Sequence, residues 1–116
     1  MKITLPYPPS ANRYWRVFRG RAVKSAEARK YQLHVGLLAK RAGVRPVSGE
    51  VAVALELYRP QRSGDLDNFI KVSLDALKGY AYDDDKQVVE IVARRHDDKK
   101  NPRLVVEVTE TKAGAK

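Results

Sequence analysis

Seven of the chain's fourteen acidic residues lie in one segment, GDLDNFIKVSLDALKGYAYDDDKQVVE, at positions 64–90. Asp65 and Asp67 alternate with a leucine. In an extended backbone both carboxylates therefore point the same way, with Cα atoms about 6.5–7 Å apart. Lys71 follows Asp67 by four residues, which is one turn along the same side of a helix that begins here. The spacing predicts that two carboxylates and one ammonium group converge at the start of that helix.

A second acidic group, formed by Asp83, Asp84 and Asp85, follows the predicted helix and directly precedes a predicted strand. The return of the chain to the sheet would bring one or two of these carboxylates beside the first pair. Two carboxylates about 4 Å apart repel each other by about 4 kcal/mol at an effective dielectric constant near 20. A cation would relieve this repulsion, and an oxygen-only ligand set without cysteine suits Mg²⁺ or Mn²⁺.

The same acids also have structural roles open to them. Asp67 is a good N-cap for a helix that stops at Gly79, and Asp75 suits a solvated helix face. Residues 83–85 suit a turn before a strand. D-x-D with a lysine four residues later is a weak motif by itself, so the remainder of the chain has to discriminate between these roles and a metal site.

The basic residues are concentrated in the other half of the chain. Residues 1–64 contain thirteen Lys or Arg against three Asp or Glu, whereas residues 65–116 contain ten against eleven, and the net charge is +9. This polarity predicts a polyanionic partner, because phosphates attract Lys and Arg and release counterions on binding. A solvated surface that aids solubility is the other explanation. With a polyanion, the acids would hold metal and the basic half would hold the phosphodiester.

The segment NRYWRVFRGRAVKS interleaves basic and aromatic residues, a composition that favours nucleic-acid binding through phosphate contacts and base stacking. Alternatively, Trp15 and Phe18 belong to the core and only some of the arginines contact nucleic acid. The two histidines have no predicted chemistry, since His34 is expected to be structural and His96 to lie at the surface. The candidate nucleic-acid contacts are Arg13, Tyr14, Arg16, Arg19, Arg21, Lys24 and Arg62.

The pattern of apolar residues predicts the elements that position these groups. Ser25 is a good cap for a helix over residues 26–42, with its apolar stripe at Tyr31, Val35, Leu38 and Ala42. The second helix is expected to have Ile70, Leu74 and Leu77 on its core face, with Phe69 or Val72 at the margin of that face. The predicted strands are KITL near the N-terminus, residues 50–58, residues 87–96 and residues 103–110.

The last two predicted strands are joined by DDKKNP, a short polar connection that favours an antiparallel hairpin. We therefore expect an α+β protein: a single domain over residues 1–116, with residues 110–116 as a loose tail. Its sheet would be mixed or antiparallel, of about four strands, with two main helices packed on it. Neither a secretory signal nor a membrane span is recognisable, so a cytoplasmic location is expected.

Two motifs resemble one family in order and spacing. GDLDNFIKVSLDALKGYAYDDDKQVVEI is similar to the signature of the RusA family of Holliday junction resolvases, which has D-x-D-N, a lysine four residues later, LDAL, and an Asp pair before x-Q-V. The N-terminal ITLPYPPSANRYWR resembles the family's P-P-S-x-N-R-Y opening. The resemblance covers about residues 3–91. The chain departs from the pattern in its third consecutive acid, Asp83, and in having Ser63 and Gly64 where many relatives are more basic.

The resemblance implies a small homodimeric Mg²⁺-dependent endonuclease that resolves four-way DNA junctions. Paired hydrolysis would leave 5′-phosphate and 3′-hydroxyl ends. Asp65, Asp67 and Asp85 would ligate the metal, with Asp84 as a weaker candidate, and Lys71 would be the essential basic residue. Two alternatives remain at this point: a basic nucleic-acid-binding module without catalysis, and a metal-dependent nuclease for other DNA or RNA.

Overall fold

A four-stranded sheet and two long helices contain most of residues 1–62 and 66–111, the residues that the computed structural model describes. The α+β class is confirmed, with one addition, a small two-stranded sheet. The longest described helix has 16 residues, and none is long and apolar enough to cross a membrane. The elements in chain order are β1 (Lys2–Pro6), α1 (Ala11–Tyr14), β2 (Trp15–Phe18), β3 (Arg21–Lys24), α2 (Ala26–Arg41), β4 (Val51–Arg59), α3 (Leu66–Leu77), a 3₁₀ turn (Asp85–Gln87), β5 (Val88–Asp97) and β6 (Arg103–Glu110).

The main sheet has the strand order β1-β6-β4-β5. Strand β6 is antiparallel to both β1 and β4, whereas β5 is parallel to β4. The predicted hairpin between the last two strands is therefore wrong, because β4 lies between them. The connecting loop crosses the end of β4, where the Asp98 N–H donates to the Arg59 carbonyl at 2.8 Å. Strands two places apart are separated by about 10 Å, a distance that five residues span easily.

Strand β4 supplies the centre of the core. Its alternate residues Val51, Val53, Leu55 and Leu57 are buried beneath the helices, as their period of two predicts. The opposite face of the sheet is more polar and is not covered by any of the described helices. There the Arg103 guanidinium lies 3.7 Å from the centre of the Tyr58 ring, which also stacks on His96. The His96 ring is half-buried, with Nε2 2.8 Å from Glu56 Oε1.

Helix α2 begins as predicted, since the Ser25 hydroxyl oxygen accepts a hydrogen bond from the Ala28 N–H at 3.0 Å. Gly43, with φ +75°, lies just past its end. The buried face differs at the C-terminal end from the predicted stripe. Ala39 is buried whereas Ala42 is exposed, because the helix ends at residue 41 and Ala42 is its C-cap.

Helix α3 begins at Leu66, so Asp67 lies inside its first turn and the predicted N-cap role is wrong. Its fully buried residues include Phe69, Val72 and Leu77, whereas Ile70 is only partly buried. The core face is therefore rotated from the predicted stripe. The predicted stop is confirmed: the helix ends before Gly79, which has φ +89°.

Strands β2 and β3 form a hairpin that the sequence analysis did not predict. Its two turn residues, Arg19 and Gly20, have φ of 53° and 74°, the sign that a type I′ turn requires at both positions. Val17 is 81% exposed and Phe18 is 60% exposed, so the tip of the hairpin presents apolar as well as cationic side chains to solvent. The predicted loose tail covers residues 110–116, of which residues 112–116 lie outside the described part of the chain.

Candidate active site and nucleic-acid interface

Asp67 and Lys71 lie one turn apart on α3, as their spacing predicts, and both side chains are exposed. The positive end of the helix dipole stabilises a carboxylate in the first turn. Asp65, the third member of the predicted cluster, lies outside the described residues. Over residues 1–62 and 66–111, no group of three or more His, Cys, Asp or Glu is placed to hold a metal ion. The carboxylate cluster therefore stays a prediction.

Asp84 and Asp85 have different surroundings in the acidic turn. Asp84 Oδ1 accepts a hydrogen bond from the Lys86 N–H at 3.1 Å and caps the 3₁₀ turn. This bond is the main reason why the pKa of Asp84 lies below its usual value. Asp85 is exposed at the first position of the 3₁₀ turn, and no described residue donates a hydrogen bond to its carboxylate. The Asp85 carboxylate is therefore the freer of the two to bind a cation.

Tyr82 connects the acidic turn with the middle of α3. Its buried hydroxyl donates to the Leu74 carbonyl at 2.6 Å. Burial raises the pKa of Tyr82, and the negative charges of Asp85 and Asp75 raise it further. Asp85 thus lies within electrostatic range of a tyrosine that packs on the helix carrying Asp67. Exposed carboxylates on two adjoining elements are suitable donors for a hard divalent cation.

Asp75 occupies a partly buried junction between elements, where a solvated helix face was expected. Its side chain is 18% exposed and accepts hydrogen bonds from the Tyr14 hydroxyl and from Gln32 Nε2 at 3.0 Å. Lys24 Nζ lies 3.1 Å from the same carboxylate. This side of α3 is therefore covered by other elements and is not a solvated face. No sequence signal shows that the N-terminal segment packs over that side.

The structure alters the set of candidate nucleic-acid contacts. Tyr14 is completely buried, so its ring cannot stack on a base, and this part of the prediction is corrected. Arg13 pairs with Glu27 at 2.8 Å, and Arg62 pairs with Asp97 at 3.1 Å. Both arginines remain mostly exposed despite these pairs. The hairpin residues Arg16, Arg19 and Arg21 are exposed as well, on the element that also presents Phe18.

A groove of about 740 Å³ adjoins the start of α3 and contains two residues that the sequence analysis did not select. Lys30 and His34 lie four residues apart on α2, so they share one side of that helix. Their spacing on a polar face is the signal that could have identified them. Phe69 and Arg13 also line the groove, which therefore extends from the basic N-terminal segment to the helix that carries Asp67.

Comparison with known proteins assigns the family. Residues 6–109 match the family described as endodeoxyribonuclease RusA. This chain belongs to the RusA family. The match spans Asp67, Lys71 and Asp85, and it confirms the resemblance stated from the two sequence motifs.

The family's curated relatives come from bacteria and a phage. The crossover junction endodeoxyribonuclease RusA of Escherichia coli (strain K12) is 40% identical over 111 residues, covering 93% of this chain and 92% of the relative. The protein of the same description from Enterobacteria phage 82 has the same identity and coverage. That of Escherichia coli O139:H28 (strain E24377A / ETEC) is 38% identical over 111 residues. The similarity to these relatives therefore covers nearly the whole chain.

Proposed function

We propose that this chain is a crossover junction endodeoxyribonuclease that hydrolyses paired phosphodiesters in four-way DNA junctions and leaves 5′-phosphate and 3′-hydroxyl ends. The observation that carries the proposal is the family match over residues 6–109. The arrangement of charge supports it. Asp67 is exposed on α3, the helix whose Phe69 lines a groove that also contains Arg13 and Lys30, and these cations suit DNA phosphates.

Asp65, Asp67 and Asp85 are proposed to hold Mg²⁺, with Mn²⁺ able to replace it. The described donors suit such an ion because both are exposed carboxylates, and Mg²⁺ binds few carboxylates and completes its shell with water and phosphate oxygens. A bound ion of this kind supplies polarisation of the phosphodiester and activation of water. Asp84 is the weaker candidate, because its carboxylate already caps the 3₁₀ turn.

Lys71 is the basic residue of the proposed site. Its ammonium group lies one helical turn from Asp67, on the exposed side of α3. A cation in this position stabilises negative charge that develops on the phosphate during hydrolysis, or it orients the attacking group by hydrogen bonding. Both roles require the charge and the reach of lysine, so substitution of Lys71 should lower the cleavage rate more than the affinity for DNA.

The DNA contacts are proposed to come from the β2–β3 hairpin and its surroundings. Exposed Arg16, Arg19 and Arg21 would bind phosphates, and Phe18 would stack on unpaired bases at the branch point. Arg13, Lys24 and Arg62 would contribute positive charge from positions where they also form ion pairs. Tyr14 is left out because it is buried.

A homodimer would complete the proposal. A four-way junction has two-fold symmetry, so two copies related by a two-fold axis can place one site at each of two opposed strands. The paired cuts of a resolving enzyme require this arrangement or two successive binding events. Action on cellular or phage DNA corresponds to a cytoplasmic location.

The proposal is tested with a labelled synthetic four-way junction and a linear duplex of the same strands. We expect symmetrical nicks on the junction in Mg²⁺, and no nicks in EDTA or with Asp67→Asn. Because the substitution removes one negative charge, the variant should still bind the junction. Equal cutting of the linear duplex would retain the nuclease and reject junction specificity. Junction binding with no cutting over a range of Mg²⁺ and Mn²⁺ concentrations would instead identify a binding module.

A further inference from the structure

The side chain of Gln87 joins the acidic turn to the segment that precedes β4. Its oxygen accepts hydrogen bonds from the backbone N–H groups of Asp83 and Asp84, both at 2.8 Å. Its nitrogen donates to the carbonyl of Gly49 at 2.8 Å and to the carbonyl of Val47. One half-buried amide therefore binds four backbone groups on two separate segments.

The chemistry of this position requires a primary amide. Two N–H groups face one end of the side chain and two carbonyls face the other, so the group must accept at one end and donate at the other. A carboxylate has no hydrogen to donate, and an ammonium has no lone pair to accept with. Glutamine carries both functions with the reach to bridge the two segments.

The segment that Gln87 contacts is itself fixed to the fold. The Val47 N–H donates to the Ala81 carbonyl at 3.0 Å, and residues 47 and 82 form a β-bridge. Strand β4 begins four residues after Val47. Gln87 thus connects the exposed turn with a buried part of the structure, and the turn's peptide groups at positions 83 and 84 are held by its side-chain oxygen.

We propose that Gln87 is a positioning residue for the Asp85 carboxylate, acting through the backbone of the acidic turn. This inference rests on the proposed function, in which Asp85 is a metal ligand. An exposed ligand on an unanchored turn has to be ordered when the ion binds, and that loss of conformational freedom weakens binding. Gln87 removes this cost in advance, because the turn is already held in one conformation before the ion arrives.

The test measures Mn²⁺ binding to the full chain without DNA, by calorimetry and by the electron paramagnetic resonance of the free ion. Gln87→Met keeps the length of the side chain and removes all four hydrogen bonds. We expect it to weaken Mn²⁺ binding by about tenfold or more, the usual effect of losing a group that orients a ligand. Amide hydrogen exchange at Asp83 and Asp84 should accelerate in the same variant.

Gln32→Met is the matched control. Gln32 is also half-buried and also hydrogen-bonds across elements, through Nε2 to Asp75, but it does not contact the acidic turn. It should lose stability comparably and keep its Mn²⁺ affinity. An equal loss of affinity in both variants would overturn the inference, since the effect would then come from general loosening. If Gln87→Met does not fold, Gln87→Asn applies the same test with a shorter amide.

Asp85→Asn separates this inference from the proposal on which it rests. If Asp85→Asn binds Mn²⁺ as tightly as the unaltered chain, the ligand assignment fails, and the inference fails with it. If Asp85→Asn loses binding while a folded Gln87 variant keeps it, the ligand assignment survives and the positioning role is overturned. Weakened binding in both, together with faster exchange at positions 83 and 84, supports the inference.

Discussion

Asp84 and Asp85 are adjacent residues with identical side chains, and the turn gives them different surroundings. The Asp84 carboxylate accepts a backbone hydrogen bond that holds the turn, whereas the Asp85 carboxylate is free of described partners. The sequence correctly indicates that carboxylates gather here. It does not rank the acids, because capping depends on backbone angles that a run of three identical residues does not encode.

Substitution of each aspartate by asparagine offers a matched test, because the two variants lose the same charge at adjacent positions. Asp84→Asn should keep cleavage within a few-fold of the unaltered chain, because asparagine is also a good N-cap. Asp85→Asn should reduce cleavage by about 100-fold or more, since even groups that only orient metal ligands are worth 10–100-fold. Single-turnover cleavage of a four-way junction measures both. Equal losses in the two variants would contradict the assignment of Asp85 as the ligand.

Among the elements, helix α3 and the N-terminal segment are joined through the partly buried carboxylate of Asp75. Tyr14 on α1, Lys24 at the end of β3 and Gln32 on α2 all bind it. This arrangement fixes the base of the cationic hairpin relative to the helix that carries Asp67 and Lys71. A substitution at Asp75 should therefore act on stability and on the orientation of the hairpin.

A double-mutant cycle measures the strongest of these contacts. Tyr14→Phe should lower the free energy of unfolding by about 1.5–3 kcal/mol, because it removes one hydrogen bond to a charged group. Combined with Asp75→Asn, it should show a coupling energy of about 0.5–3 kcal/mol, as expected for residues in direct contact. Tyr31→Phe is the control, since its hydroxyl donates to the Pro6 carbonyl instead. Its coupling to Asp75→Asn should be close to zero; a value as large as that of Tyr14 would contradict the direct contact.

The positions of the four strands of the main sheet were predictable, whereas their pairing was not. Alternation along β4 locates it because one face is buried and the other is not. The apolar residues of β5 and the alternation of β6 indicate strands but carry no information on which neighbour each strand takes. A five-residue polar loop permits a hairpin, and it also permits the observed passage across the end of β4. The β2–β3 hairpin was missed because its arginines resemble a basic binding segment more than a strand pair.

The charge of the whole molecule should determine how DNA binding depends on salt. Removing one arginine that binds a phosphate should reduce the slope of log K against log salt by about 1. Alanine at Arg16, Arg19 or Arg21 should therefore lower both affinity and slope, measured in EDTA to prevent cutting. Lys40→Ala is the control, because Lys40 lies near the opposite end of α2, about 20 Å along the helix from the hairpin.

Phe18 provides a contrast within the same measurement. Phe18→Ala should weaken binding to the four-way junction and leave the salt slope unchanged, because stacking displaces no counterions. Affinity for linear duplex should change little. If Phe18→Ala weakened both substrates equally, stacking at the branch point would be rejected and a general packing role of the hairpin would be favoured.

Three buried tyrosines should make the fold sensitive to alkali. Burial is the largest cause that raises the pKa values of Tyr14, Tyr31 and Tyr82 above the ordinary value of 10.0. The folded state then keeps its protons while the unfolded state loses them, so stability is complete below pH 10 and falls as the pH rises beyond it. Relative to Tyr31→Phe, the unaltered chain should lose about 1.4 kcal/mol per pH unit above 10. Denaturant unfolding between pH 8 and 11.5 measures this, and parallel curves would contradict it.

The order of strands in the sheet has a consequence for biosynthesis. The ribosome makes β6 after β1, β4 and β5, yet β6 occupies the place between β1 and β4. Until β6 is made, one edge of β1 and one edge of β4 lack the partner that they have in the finished sheet, and such edges are sites where other chains can pair. Closing the sheet then requires contacts between residues about a hundred positions apart, such as Lys2 with Glu107. Such long-range pairing slows folding, so this chain should complete its structure after translation of β6, in one late step that joins its first strand to its last.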